Sequence, residues 1–290
     1  MIVMIMMGGI GNQMFQYAFG RFLSLKYNVP LFLNRCIYDN GLSNRTFDLD
    51  IFRLGSDVII GGHIPLAKLV YGKEVIRMEE DDFRYNEPFL HRVDHYLRYQ
   101  RDVVLMLKGY WQSYRYLLPI DYILRQDFQF MTPPTGRWKE LQAQINNTQS
   151  VMVNVRRGDY LGKLDFHGVV SKAYVNGAMQ QYSNKLPEVS FFVFSDDVRW
   201  CKENIMTDSP LFFVDETYYD DRYNFYLQLM CSCRYYILSN SSFCWWSAWL
   251  STYDHKEVTV PVKWFQVPID TSDLHPPEWT PYDPEITIIA

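Results

Sequence analysis

The chain opens with an unbroken apolar run, residues 1–7 (MIVMIMM), stopped at once by Gly8 and Gly9. The run is too short for a bilayer and lacks the basic start of a signal sequence, so it predicts a buried strand. Behind the glycines, Met14, Tyr17, Ala18, Phe22 and Leu25 recur near helical spacing, and residues 29–34 (VPLFLN) are apolar again. Strand, glycine turn, helix and second strand make a βαβ opening of Rossmann type, with a right-handed crossover expected.

Periodicity then weakens. From 38 to 129, short apolar runs lie among tyrosines and scattered charges, which predicts helices and loops rather than clean alternation. The prolines of residues 131–136 (MTPPTG) mark a break, followed by a helix over about 137–146. Past Ser150 the alternation is regular, with strands expected near 151–156, 191–195, 211–214, 235–239 and 257–262. Helices near 171–185, 222–234 and 243–253 separate most of them. Two α/β domains follow, 1–149 and 150–290, the proline-rich last stretch wrapping back as an extended tail.

Three segments of the second half are apolar first and polar at their C-terminal ends: VMVNVRRGDY, FFVFSDD and YYILSNSSFCWWSAW. In open α/β sheets that is the end where ligands collect. Arg156 and Arg157 are the most informative pair, because arginine keeps its charge and its planar fork matches phosphate oxygens. At a strand end they suit a diphosphate held without metal. The competing reading is a structural ion pair of Arg157 with Asp159.

Composition narrows the choice further. The 290 residues carry a net charge of −5 with no basic block, which argues against binding a nucleic-acid backbone. No stretch of about 20 apolar residues predicts a transmembrane segment, although peripheral membrane contact stays open. Five cysteines without CxxC spacing are expected to be reduced thiols in a cytoplasmic protein. The sequons at Asn44, Asn146 and Asn240 then carry no chemical meaning. Asp48-Leu49-Asp50 formally satisfies a metal-binding DxD pattern, a match that arises easily by chance. The 22 tyrosines and 8 tryptophans also fit a noncatalytic carbohydrate-binding protein. GYWQSYRYL (109–117) reads either as a sugar-facing surface or as the closure of an interface.

In this order, GGIGNQMFQYAFG, VRRGDY, FSDD and SNSSFCWWSAWL resemble the motif set of the bacterial α-1,2-fucosyltransferases, glycosyltransferase family 11. The likeness runs from Gly8 to about Phe265 and includes PVKWF. It implies an α/β fold of GT-B type, two Rossmann-like domains facing across a cleft. The N-terminal domain would lie on the acceptor side, and the C-terminal one would bind the GDP-sugar. It also implies inverting transfer of L-fucose from GDP-β-L-fucose to the 2-hydroxyl of a terminal galactose of a glycan, with no cofactor and no obligatory metal. A fucosyltransferase of other linkage is an alternative. The chain departs from the family's HxRRGDY at Asn154, which hydrogen-bonds but does not titrate near neutrality, and from SFSWWGAW at Cys244 and Ser247.

On this reading Arg156 is the catalytic residue, neutralising charge on the departing diphosphate beside Arg157 and Asn154. Asn240, Ser241, Ser242 and Phe243 open a helix whose N–H groups favour anions, with ordinary serine capping as the competing role. Asp196 or Asp197 accepts from the guanine edge, unless one of them caps the helix near Val198. Gly9 and Gly11, with Gly8, permit close backbone approach to the donor, and Asn12 and Gln13 add hydrogen bonds; a plain tight turn competes. Trp245, Trp246 and Trp249 read as core. His167 and Asp165 are candidate bases.

Overall fold

The computed structural model describes residues 1–100, 102–220 and 222–284, and all their side chains except those of residues 64 and 65. The chain divides into two compact units, residues 1–131 with 270–276, and residues 132–269 with the remainder of the tail.

In the first unit, β1 (Ile2–Ile5), α1 (Ile10–Tyr27) and β2 (Leu31–Asn34) form the expected opening. They are followed by α2 (Cys36–Asp39), β3 (Val58–Gly61), α3 (His63–Val70), β4 (Glu74–Glu79), α4 (Glu87–Tyr99), β5 (Val103–Lys108) and α5 (Asp121–Asp127). The five strands are parallel in the order β3-β2-β1-β5-β4. β1, β2 and most of β5 are buried, whereas β3 and β4 lie at the edges and alternate half-exposed positions. Helices were expected between 38 and 129 and are present, whereas those two edge strands and β5 were not expected. One local signal was present there: Asn86-Glu87-Pro88 starts α4, and the Asn86 side chain accepts from Phe89 N–H at 2.8 Å. Gly8, at φ +78°, makes the turn from β1 into α1, and Asn28, also left-handed, ends that helix.

The second unit begins with α6 (Gly136–Asn146), then β6 (Gln149–Val155), α7 (Lys172–Lys185), β7 (Val189–Ser195) and α8 (Val198–Asn204). β8 (Leu211–Val214), α9 (Asn224–Cys231), β9 (Tyr235–Ile237), α10 (Ser242–Leu250), β10 (Val258–Pro261) and β11 (Thr280–Tyr282) complete it. The boundary therefore falls at 131/132 rather than at 149/150. The reason is packing: α6 lies on α9, with Trp138 Nε1 donating to the Tyr218 carbonyl and Gln142 to the Ser232 hydroxyl. The tail gives residues 270–276 to the first unit, where Asp273 accepts from Tyr85 N–H, and then supplies β11 as an edge strand of the second sheet. Pro281 fits there because an edge strand can lack an N–H donor.

All six strands of the second unit are parallel, in the order β11-β10-β9-β6-β7-β8. Counted from β6, this is 6-5-4-1-2-3, the dinucleotide-binding Rossmann order. The chain leaves β6 in one direction for β7 and β8 and in the other for β9 to β11, so the carboxyl ends of β6 and β9 flank the switch point. Val151, Val153 and Val155 of β6 pack with Phe191, Val193 and Ile237 against α7, which fixes the face of every intervening residue. Trp245, Trp246 and Trp249 are buried, as expected for core.

Candidate active site

At the carboxyl end of β6 the strand's alternation sends Asn154 and Arg157 to opposite sides. Asn154 is buried: its amide donates to the Phe194 carbonyl of β7 at 3.2 Å, and its oxygen accepts from Ser239, just past β9. Three adjacent strand ends are thereby tied by one polar side chain. Its side chain is used inside the sheet, so it shapes the site from beneath. Arg157 turns to the α8 side, where it stacks on Trp200 (4.2 Å) and its Nε meets Asp197 at 3.1 Å.

Arg156 lies between two carboxylates, Nη2 at 2.7 Å from Asp159 and Nη1 at 2.9 Å from Asp196, with a quarter of its side chain exposed. The ion pair with Asp159 thus belongs to Arg156 and not to Arg157. Burial alone pulls the Arg156 pKa down, and the carboxylates of Asp196 and Asp159 more than offset this, leaving it above the ordinary arginine value. A guanidinium carries five N–H donors, so the two carboxylates do not exhaust it.

The acidic pair resolves into two roles. Asp197 caps α8, accepting from Trp200 N–H at 3.1 Å while it pairs with Arg157. Asp196 accepts from Arg157 N–H at 2.8 Å and holds Arg156. Both carboxylates are engaged with the arginine loop, and Asp197 takes the capping role weighed for one of the pair.

Across the switch point, β9 runs into Leu238, Ser239, Asn240 and Ser241 before α10. The Ser241 side chain makes no capping bond at the start of this helix. The serine-cap role weighed for it is therefore not taken up, and the first-turn N–H groups there favour an anion. Ser242 and Phe243 lie in that turn, the Phe243 ring 6.2 Å from Tyr223. Asn240 is buried, and its amide donates to the carbonyls of His167 (2.6 Å) and Trp264 (3.1 Å). It anchors the turn.

Two neighbours carry little signal in the sequence beyond their place in and after GDY. Tyr160 lies with its ring 5.5 Å from the Arg156 guanidinium, parallel to His167 at 4.2 Å, and its hydroxyl donates to the Asn240 carbonyl at 3.2 Å. Burial pushes its hydroxyl pKa up to about 12. Burial also lowers the His167 pKa, with Lys163 and Arg156 adding to the effect and Asp159 opposing it. His167 Nδ1 is buried without a hydrogen-bond partner, and Asp165 is exposed.

In the first unit, a Cβ on Gly8 would meet Asn12 Nδ2 at 2.6 Å, whereas one on Gly9 would point into open space. Gly9 N-caps α1 and Gly11 is buried in its first turn. Asn12 accepts from Gln112 Nε2 at 2.8 Å. Gln13 corrects an expectation: it is fully buried, its amide donates to the carbonyls of Gly8 and Thr46, and its oxygen accepts from Asp48 N–H. It holds a loop and presents nothing to a ligand. In the aromatic stretch 109–117, Trp111 and Tyr116 are also core, Trp111 stacked on Phe19 at 4.2 Å. The sugar-facing reading fails for these two rings. Asp48 accepts from the Thr46 hydroxyl, and among the described residues no group of three or more His, Cys, Asp or Glu is arranged to hold a metal ion.

Two Rossmann-like units, the second with an arginine pair and an uncapped helix start at its switch point, define a glycosyltransferase of the GT-B class. More particularly, the chain belongs to glycosyl transferase family 11, whose profile matches residues 83–282. An α-1,2-colitosyltransferase of Escherichia coli is 29% identical over 289 aligned residues, covering 94% of this chain and 95% of that protein. The O-antigen biosynthesis glycosyltransferase WbnK of Escherichia coli is 27% identical, covering 89% and 93%. Human galactoside α-(1,2)-fucosyltransferase 1 is 27% identical over 168 residues, 53% of this chain and 45% of that protein. Among solved structures, NodZ α-1,6-fucosyltransferase soaked with GDP-fucose superposes with a TM-score of 0.54 at 12% identity, over 86% of this chain and 91% of that one. POFUT1 in complex with GDP gives 0.50 at 12%, over 89% and 98%. These two likenesses speak for the fold. Among the described residues, no helix is long and apolar enough to cross a membrane.

Proposed function

We propose that this glycosyltransferase moves L-fucose from GDP-β-L-fucose to the 2-hydroxyl of a terminal galactose, with inversion to the α linkage, in the cytoplasm and without an obligatory metal. The observation that carries the reading is Arg156, poised between Asp159 and Asp196 at the switch point of the second sheet, beside the first turn of α10. As the bond from the sugar's anomeric carbon to the β-phosphate oxygen breaks, its electron pair leaves with GDP. The guanidinium and the helix N–H groups stabilise that charge. The acceptor oxygen bonds the anomeric carbon from the opposite face, and its proton passes to a phosphate oxygen of the departing nucleotide. Supporting the linkage are relatives whose names specify α-1,2 transfer.

The test offers GDP-fucose with a panel of galactosides, in buffer and in EDTA, and assigns the product linkage by NMR. An α-1,2 product formed at an equal rate in EDTA is expected. A product linked elsewhere removes the linkage assignment, and loss of turnover in EDTA removes metal independence. One observation favours a second donor: the relative that matches 94% of this chain is a colitosyltransferase. If nucleotide-linked colitose gives the higher kcat/KM, colitose is the transferred sugar.

A further inference from the structure

Tyr160, His167 and Asn240, on two loops, form a closed circuit at the switch point of the second unit, and Arg156 rests over its Tyr160 ring. The Tyr160 ring receives the Arg156 guanidinium at 5.5 Å and is stacked with the His167 ring at 4.2 Å, the two planes only 9° from parallel. The Tyr160 hydroxyl donates to the Asn240 carbonyl at 3.2 Å, and the Asn240 amide donates back to the His167 carbonyl at 2.6 Å. Phe166 meets the edge of His167 at 4.8 Å, and Phe265 lies 6.0 Å away. Arg156 follows β6, while Asn240 immediately precedes the start of α10. The circuit is thus the link between the fixed cation and the helix N–H groups, the two features that must meet one diphosphate together.

We propose that Tyr160 and His167 are positioning residues that hold the Arg156 guanidinium in register with the first turn of α10, and that an uncharged His167 is required for this register. The proposal rests on the fucosyl-transfer reading of the same site. Its chemistry is local. A neutral imidazole tolerates a buried Nδ1 without a partner, but an imidazolium needs both N–H groups satisfied. Arg156 and Lys163 are cations bearing on the ring, with Asp159 as the opposing charge; Tyr160, Phe166, Phe265 and Asn240 are its neutral surroundings. Burial together with the two cations resists protonation, so the charged form arises only below the usual histidine range. When it arises, the ring leaves the stack and Tyr160 loses its support.

The experiment measures kcat and donor KM from pH 4.5 to 8.5, together with GDP affinity by calorimetry, for the natural protein and for Tyr160→Leu, Tyr160→Phe and His167→Phe. Tyr160→Leu removes the platform and is expected to lower kcat on the order of 10- to 100-fold, the scale of a displaced catalytic group, with a much smaller change in donor KM. Tyr160→Phe loses only the bond to Asn240, and a drop of roughly 2- to 10-fold is expected. In the natural protein kcat falls as pH drops through a midpoint below 6.5, and that limb disappears in His167→Phe, which keeps an aromatic ring but cannot titrate.

Natural kcat in Tyr160→Leu, or a loss confined to thermal stability, overturns the positioning role. An acid limb persisting in His167→Phe overturns the histidine's part. If Tyr160→Leu does not fold, the other two variants decide. A natural protein that turns over no fucosyl donor defeats the fucosyl-transfer reading instead. In that case, GDP affinity compared across pH between the natural protein and His167→Phe still tests the circuit.

Discussion

Gly158 lies so close to the Asp196 carboxylate that a methyl group built on it would come within 2.5 Å of Oδ2. Absence of a side chain at 158 is what lets Asp196 reach both the Arg157 N–H and the Arg156 guanidinium. Gly158→Ala is therefore expected to push Asp196 away, leave Arg156 held by Asp159 alone and lower transfer about 100-fold, while circular dichroism shows an intact fold. Natural activity in this variant would separate Asp196 from the work of the site.

The two arginines should fail differently. Arg156→Ala removes the cation proposed to meet the diphosphate and should raise the barrier by roughly 3 kcal/mol with the unfolding midpoint nearly unmoved. Arg157→Ala removes the Trp200 stack and the Asp197 bond, contacts within the fold. Its cost should appear as about 1–2 kcal/mol of stability in urea denaturation. A reversed pattern would exchange their roles.

Gln13→Ala should behave as a structural lesion. The Thr46 carbonyl and the Asp48 N–H lose this partner at once, while the Gly8 carbonyl keeps the Tyr38 hydroxyl. Losing these partly buried hydrogen bonds costs about 0.5–1.5 kcal/mol each, so a lower unfolding midpoint is expected, with donor KM little changed in the fraction that remains folded. Loss of donor affinity without loss of stability would restore Gln13 to the site.

Glu80, just past β4, should make stability depend on pH. Burial raises its pKa to about 7, against the pull of the Tyr110 and Trp111 N–H groups that it accepts at 2.6 and 2.8 Å. A raised carboxyl favours the protonated form in the fold. Its contribution is complete below the ordinary value of 4.5 and is lost as pH rises through about 7. The natural protein should lose up to roughly 3 kcal/mol across that window, a slope that Glu80→Gln flattens. Equal slopes in the two proteins, measured by urea titration at several pH values, would show that Glu80 ionises freely.

What the sequence alone determined follows from where strands are buried. β1, β2, β6, β7 and β9 lie in the interior of parallel sheets, so each reads as an apolar run whose polar end marks the ligand side. That pattern located Arg156, Arg157 and the turn before α10. β4 went unread because Glu74, Arg77 and Glu79 interrupt its apolar residues, and the short runs of β3 and β5 lie among the scattered charges and tyrosines that masked them.

Tertiary structure decided which groups meet. Val155 pairs with Ser195, and Val153 with Ile237, so three strand ends far apart in the chain finish side by side. Only then does Asn154 reach Ser239, and only then does Asp196 turn to the arginines while Asp197 caps a helix. Side-chain type sets what a residue can bond to, and strand register sets what lies within about 3 Å of it. For Gln13, whose amide suits a ligand and a loop equally well, that second condition settled its role.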